Sequence, residues 1–286
     1  MSVDTDHHWV EPGHVYLVGT PIGNLEDFSP RAQAVLRQVD RILCEDTRET
    51  EILCRTFDIH RPLVSFHAHN APRRLQQVAT WIAQGESLAL VSDRGMPAIS
   101  DPGQELMVWL YDNHIPFSVI PGPSAQVMAF AASGFPHPYV FWGFIPPSGK
   151  ARRERLQEIQ ACPYASVIYE APHHMDKTLN DLLELLGRDR LVVLGREMTK
   201  HFEEFWKGTL GELVSQNRTW KGEMVLVLGP KASASEQEPE WDKLIDDVEN
   251  LVAAGHTIKE ATQQIASQYH ISRRELYNRA QKSRNN

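Results

Sequence analysis

Cysteine is scarce in this chain. Cys44, Cys54 and Cys162 make three, an odd number with no CxxC pair. That argues against a disulfide framework or a zinc knuckle and fits a reducing, cytoplasmic setting. No run of about 18 apolar residues occurs, so no transmembrane helix is expected. Positive charge is in deficit: 29 Lys and Arg stand against 37 Asp and Glu, for a formal net charge of −8. An acidic chain is a poor non-specific nucleic-acid binder, so contact with nucleic acid would need locally gathered basic residues. Neither GxxxxGK[ST] nor GxGxxG is present, which argues against a nucleotide held through its phosphates.

Two basic clusters are there. "GKARRER" (Gly149 to Arg155) carries Lys150, Arg152, Arg153 and Arg155 against Glu154, and the tail carries Arg273, Arg274, Arg279, Lys282 and Arg284 against Glu275. Each is equally well read as a solvated helix face. The opening "MSVDTDHHWVEPG" is polar and acidic, without the regions of a secretory signal. Residues 1–13 are expected to be a short disordered leader.

From residue 14 to 132, short apolar strands alternate with helices. "HVYLV", "RILC", "PLVSF", "SLALV" and "FSVI" read as strands. Ser29 is expected to cap a helix opened by Pro30, Asn70 to cap another stopped by Gly85, and Asp101 to cap a third opened by Pro102. Almost wholly apolar strands between helices imply a buried, mainly parallel sheet covered on both faces. "SGFPHP" (Ser133 to Pro138) is the expected hinge. From 139 to 230 strands outnumber helices, which implies a second α/β domain with a mixed sheet. After a small polar linker, residues 240–286 are expected to be helical. Capping boxes at Thr257/Glu260 and Ser272/Glu275 open two short helices, like a helix-turn-helix or a pair packed on a neighbouring surface.

Four loops leave the carboxyl ends of the first-half strands: "GTPIGN", "EDTR", "SDRGMPAISDPG" and "PGPSA". That edge of an open parallel sheet is where ligands bind. Gly and Pro let backbone approach a ligand and hold a fixed shape. A neutral or zwitterionic small molecule held by backbone groups fits these loops better than a phosphate.

The segments "YLVGTPIGNLEDFSPRA", "EDTRET", "VSDRGMPAISDPG", "VIPGPSA", "YEAPHH", "REMTK" and "KGEMVLVL" occur in this order. Their order and spacing, from about His14 to Pro230, resemble the tetrapyrrole methylase superfamily, in particular its branch acting on small-subunit ribosomal RNA. The helical tail resembles that branch's terminal domain. The resemblance implies two α/β domains with a ligand cleft between them, S-adenosyl-L-methionine in that cleft, a homodimer, and no metal. It further implies 2′-O-methylation of a cytidine in the decoding region of 16S rRNA. Carried over, cofactor contacts fall on Pro21, Ile22, Gly23, Asp93, Gly95, Met96, Ser124 and Ala125, and from the second domain on Tyr169, Glu170, Met198 and Met224. The sequence departs from the superfamily pattern at three positions. Arg94 stands where Ala is usual, Met96 where Thr is usual, and His174 where Arg is usual. Arg94 is large enough to fill part of the cavity, or to swing out to a carboxylate or phosphate.

Methyl transfer to a ribose hydroxyl needs in-line alignment and profits from a general base. Glu45, Asp46, Glu170 and Glu197 are candidates, with His173 beside them, and the sequence does not choose among them. Each acid is also a candidate partner for Arg48, Arg196 or Lys200. Arg48, Lys150, Arg152, Arg153, Arg196 and Lys200 are the candidate RNA contacts. A metal site built on His67, His69, His173 and His174 lacks a visible completing ligand. In "YVFWGF", strand alternation would put Trp142 and Phe144 on one face, as core or as a base-stacking platform. Two other readings stay open: a methylase acting on a tetrapyrrole, and a catalytically inactive RNA-binding or ribosome-assembly relative.

Overall fold

Apolar runs of the first half become five parallel strands, in the order β3-β2-β4-β1-β5. A computed structural model describes residues 8–68, 70–101, 103–231, 241–269 and 271–284. The strands are Val15–Val18 (β1), Arg41–Cys44 (β2), Leu63–Ser65 (β3), Leu88–Leu90 (β4) and Phe117–Ile120 (β5). Between them run Pro30–Gln38 (α1), Thr47–Thr56 (α2), Ala71–Ala83 (α3) and Gln104–Asp112 (α4), and Ala125–Ser133 (α5) follows β5. Successive strand residues face opposite ways. Tyr16, Val18, Ile42 and Cys44 pack with Val35 and Leu36 of α1 and Cys54 of α2. Val15, Leu17, Leu43 and Leu88 pack with Val78 of α3 and Leu106 of α4. Both faces are covered, which is why the strands are apolar throughout.

The second half forms a mixed sheet in the order β6-β7-β10-β8-β9. Its strands are Tyr139–Phe144 (β6), Ala165–Glu170 (β7), Leu191–Arg196 (β8), Glu204–Thr209 (β9) and Met224–Leu228 (β10). Only the β6–β7 pair is parallel among the pairings of this sheet. Gly149–Ala161 (α6), Met175–Leu186 (α7) and Leu210–Ser215 (α8) cover one face through Leu156, Leu179 and Leu210. Ala129 and Phe130 of α5 cover the other, against Val167, Val193 and Val225. The α5 helix thus belongs by sequence to the first half and by packing to the second. Both sheets fall in one unit ending at Pro230.

From Lys231 a separate unit follows. Trp241–Ala253 (α9), Ile258–Tyr269 (α10) and Arg273–Arg284 (α11) share a core of Leu244, Val248, Ala261, Ile265, Leu276 and Ala280. The expected helix pair therefore packs on a third helix, α9, supplied by its own unit. Thr257 and Glu260 form the full capping box. At Ser272 only the Glu275 N–H to Ser272 Oγ bond forms, because the Glu275 carboxylate turns to Arg279 at 3.0 Å.

Three further expectations need correction. Within the expected leader, Val10 is buried in the first core, Trp9 packs against it, and the Trp9 N–H donates to Gln38 Oε1 at 2.8 Å. Those two apolar side chains give the segment a place to pack; residues 1–7 lie outside the described residues. Asp101 does not cap α4, whose N-cap is Gly103 at φ +137°. Adding a Cβ there would bring it 2.7 Å from Leu90 Cδ2, so only glycine passes that corner. Pro102 lies outside the described residues. Finally, Trp142 and Phe144 do not share a face. The β6 register shifts between Phe141 and Phe144, and Gly143 takes φ +65°. This bulge leaves Trp142 with the α6–α7 core and turns Phe144 to the other side.

Candidate active site

The β1 and β5 loops touch through bare backbone. A Cβ on Gly19 would sit 2.6 Å from Gly122 Cα. The β1 and β4 loops are stitched by Thr20 N–H to the Gly95 carbonyl at 2.9 Å and by the reciprocal bond at 3.1 Å. Thr20 Oγ1 also donates to the Ser92 carbonyl at 3.1 Å. Gly95 sits at φ +80°, a conformation open to glycine. These contacts fix the loops as one rim. Facing it are the ends of β7 and β10 and the segment after β8, and between them lies a cavity of about 310 Å³.

Most expected cofactor contacts line this cavity: Ile22, Gly95, Met96, Ser124 and Ala125 from one side, Tyr169, Glu170, Met198 and Met224 from the other. Pro21, Gly23 and Asp93 do not line it. Pro21 is buried beside it, Gly23 lies against the Lys200 side chain, and Asp93 Oδ1 accepts the Asp46 N–H at 3.1 Å. The Tyr169 hydroxyl accepts the Gln126 N–H at 3.1 Å, and burial pushes its pKa up to about 12. The phenol therefore stays neutral at physiological pH.

Arg94 lines the cavity wall but is engaged there rather than free. Its guanidinium pairs with Glu223, which also meets Lys200 at 3.0 Å. The lining is thioether, aliphatic and aromatic surface with the carboxylates of Asp101 and Glu170 and the Arg94–Glu223 pair. Its one cation is already paired. This mixture of apolar surface and carboxylates suits a positively charged ligand with flat and thioether-like parts, such as a sulfonium amino acid joined to a nucleoside. It does not form a phosphate cradle.

The candidate acids have different fates. Glu170 is buried, accepting Thr178 Oγ1–H at 2.5 Å and the Ala171 N–H at 2.8 Å. Glu197 pairs with Lys200 at 3.0 Å and accepts the Glu223 N–H at 2.8 Å. Asp46 caps α2 and pairs with Arg48, which holds its pKa down at about 2. Glu45 makes no ion pair among the described residues. Burial, then the charges of Asp101, Asp93 and Asp46, push its carboxyl up. Burial also raises Asp93 and Asp101. The carboxyl edge of β2 and β4 therefore holds a crowded acidic group, and Asp101 brings it to the cavity wall. His173 packs against His174 with the rings tilted by 49° and 4.1 Å between centroids, and does not line the cavity.

The candidate RNA contacts divide as well. Arg152 is 4% exposed and is a correction: it donates to Asp181 at 2.6 Å, Thr178 Oγ1 at 3.0 Å and the Pro146 carbonyl at 3.0 Å. It is a structural arginine that ties α6 to α7. Arg196 is paired with Glu204 at 2.9 Å, and Lys200 is taken by Glu197 and Glu223. Arg48, Lys150 and Arg153 are exposed. Sequence reasoning missed Asp101 as a wall residue, though the loop's two aspartates were a visible signal, and missed Ile99, Thr178 and Glu223, which carried none. Of the histidines weighed for a metal, His67 is bonded with Asn70 and His69 lies outside the described residues. Among the described residues no group of three His, Cys, Asp or Glu is placed to hold a metal.

Two α/β layers meet here at a cavity walled by strand-end loops, and the chain belongs to the tetrapyrrole (corrin/porphyrin) methylase family, which it matches over residues 14–214. Within that family it is similar to the ribosomal RNA small subunit methyltransferase I of Halalkalibacterium halodurans, 42% identical over 276 residues and 94% of each chain. The enzymes so named from Streptococcus pyogenes serotype M1 and Bacillus subtilis (strain 168) are 40% and 38% identical, over 93% of each chain. Among solved structures, a uroporphyrin-III-C-methyltransferase from Thermus thermophilus superposes with TM-score 0.54 at 20% identity, covering 76% of this chain and 94% of that one. A cobalt precorrin-4 methyltransferase superposes with TM-score 0.56 at 17% identity, covering 76% and 95%. At those identities the likeness is one of fold.

Proposed function

We propose that this protein uses S-adenosyl-L-methionine to methylate the 2′-oxygen of a cytidine in the decoding region of 16S rRNA, as a cytoplasmic homodimer. The observation that carries the reading is the open cavity, walled by the strand-end loops of one half and by Tyr169, Glu170, Met198 and Met224 of the other. Relatives at about 40% identity over nearly the whole chain, named for small-subunit ribosomal RNA, support the substrate class. Arg94 paired with Glu223 in the wall supports an active enzyme over an inactive relative, because a cavity of about 310 Å³ stays open beside the pair.

S-adenosyl-L-methionine would supply the electrophilic methyl group. The chain's part is to hold and align. Ile22, Met198 and Met224 offer apolar surface, and the backbone of Gly95, Ser124 and Ala125 lies along the wall. Asp101 and Glu170 supply negative charge toward the cation. Asp101 is the carboxyl best suited to accept the ribose proton, since it lines the cavity, burial raises it and it is not tied to a cation, while Glu45, also raised, lies outside the lining and would act only through its neighbour. Glu197 and Asp46 are spoken for by Lys200 and Arg48.

The test is transfer of labelled methyl to unmodified small subunits, with the product nucleoside identified by mass spectrometry. A 2′-O-methylcytidine is expected. Methyl on a base, on a tetrapyrrole, or on nothing would reject the reading.

A further inference from the structure

We propose that Phe144 seats the nucleobase of the nucleotide that is methylated. The inference rests on the function proposed above and names how that site holds its substrate.

The starting point is the β6 bulge. A regular strand would have sent Phe144 to the same side as Trp142. Instead Gly143, at φ +65°, absorbs an extra residue, and Phe144 comes into register with Tyr169. Its ring meets the Tyr169 ring edge-on at 5.5 Å, and 56% of the residue stays exposed. Large aromatics bury most of their surface when nothing prevents it. Here the backbone holds one out at the cavity mouth.

The opposite lip is built to match. Ile99, from the β4 loop, also lines the cavity and is 51% exposed. A Cβ on Gly143 would lie 3.6 Å from Ser100 Oγ, so the two lips meet at the bulge. Of the two aromatic residues in the lining, Tyr169 is flanked by Phe141 and Phe144 in T-shaped contacts and its hydroxyl accepts the Gln126 N–H. Phe144 is the one with surface to spare.

Chemistry assigns the occupant. With the methyl donor inside, the acceptor oxygen must enter from the open side, in line behind the methyl carbon. The ribose then lies at the mouth, and its base must rest on the lip. A base stacked on an aromatic ring gains a sequence-tolerant contact that needs no positive charge. That suits a mouth whose arginine is already engaged by Glu223.

The experiment compares F144A, F144L and F144Y in steady-state methyl transfer to unmodified small subunits, alongside calorimetric titration with S-adenosyl-L-methionine. F144A and F144L should raise KM for the subunit about tenfold while donor affinity stays unchanged. F144Y should restore it. An unchanged KM in F144A, full activity in F144L, no rescue by F144Y, or a matching loss of donor affinity would each overturn the assignment; the last would place the ring in the donor site. If wild-type enzyme is active on subunits and F144A is indifferent, this inference alone falls. If wild type transfers no methyl to subunits, the substrate reading falls and takes this inference with it.

Discussion

Arg94 and Glu223 form an ion pair across the opening of the cavity, one from the β4 loop and the other from the residue before β10. The arginine that stands where the superfamily pattern has a small residue is thereby drawn to the rim, and Lys200 continues the chain of charge to Glu197.

Both partners of that pair are about half exposed, at 53% and 50%. Exposed pairs contribute about 0–1 kcal/mol. R94A is therefore expected to leave the urea midpoint nearly unchanged and the cavity able to bind donor. A large loss of donor affinity in R94A, measured by calorimetry, would mean the arginine itself touches the ligand.

Arg152 and Asp181 should behave differently. Asp181→Ala strands a guanidinium whose side chain is 5% exposed, at a cost of about 3 kcal/mol or more by urea unfolding. Lys150 and Arg153 are exposed on the same helix. K150A/R153A should fold normally and lower the slope of log affinity against log salt for RNA by about 1.4–1.8 if both meet phosphate. An unchanged slope removes α6 from the RNA site.

Thr178 is fully buried and donates to the buried Glu170. Thr178→Val keeps the shape and deletes that donor. The expected cost is about 1–3 kcal/mol, together with weaker donor binding, because Glu170 loses one of the bonds that hold it at the wall.

The acidic group at the β2 and β4 edge sets a pH signature. Burial and mutual repulsion raise the folded-state pKa of Glu45. A raised carboxyl binds more protons folded than unfolded between its two pKa values. Its contribution is therefore most favourable below the unfolded value and is lost as pH rises through the folded one. E45Q should thus be more stable than wild type at neutral pH and lose that advantage below about pH 4. Urea titrations at both pH values check the sign. If Glu45 or Asp101 takes the ribose proton, E45Q or D101N should in addition depress kcat.

The space between Gly19 and Gly122 admits no side chain, since a Cβ on either would lie within 2.7 Å of the other's backbone. Gly19→Ala must push two loops apart. A loss of about 1–3 kcal/mol is expected, with donor binding lost at the same time, and a variant with full affinity would show that loop spacing is not what shapes the cavity.

The two-sheet architecture was readable because its signals are local. Continuous apolar runs mark strands buried on both faces, Ser29 and Pro30 open α1, and glycine and proline mark the loops at the carboxyl edge. Much of the cavity lining was also readable, since those loops run along the chain in register with the strands. Charge partners were not. Arg152 reads as part of a basic surface cluster until α7 packs beside it and presents Asp181, and Asp101 reads as a cap until Gly103 takes that place.

By itself, then, the order of residues determined which segments become strands and helices, which faces they bury, and at which edge a ligand would lie. Backbone preference and hydrophobic period act over a few neighbours, and those neighbours are in the sequence. Tertiary structure alone decided where Arg94 points, why Arg152 is inside, and why Phe144 is out. A charged side chain's partner, or the face of a strand past a bulge, is chosen by packing against segments far away along the chain.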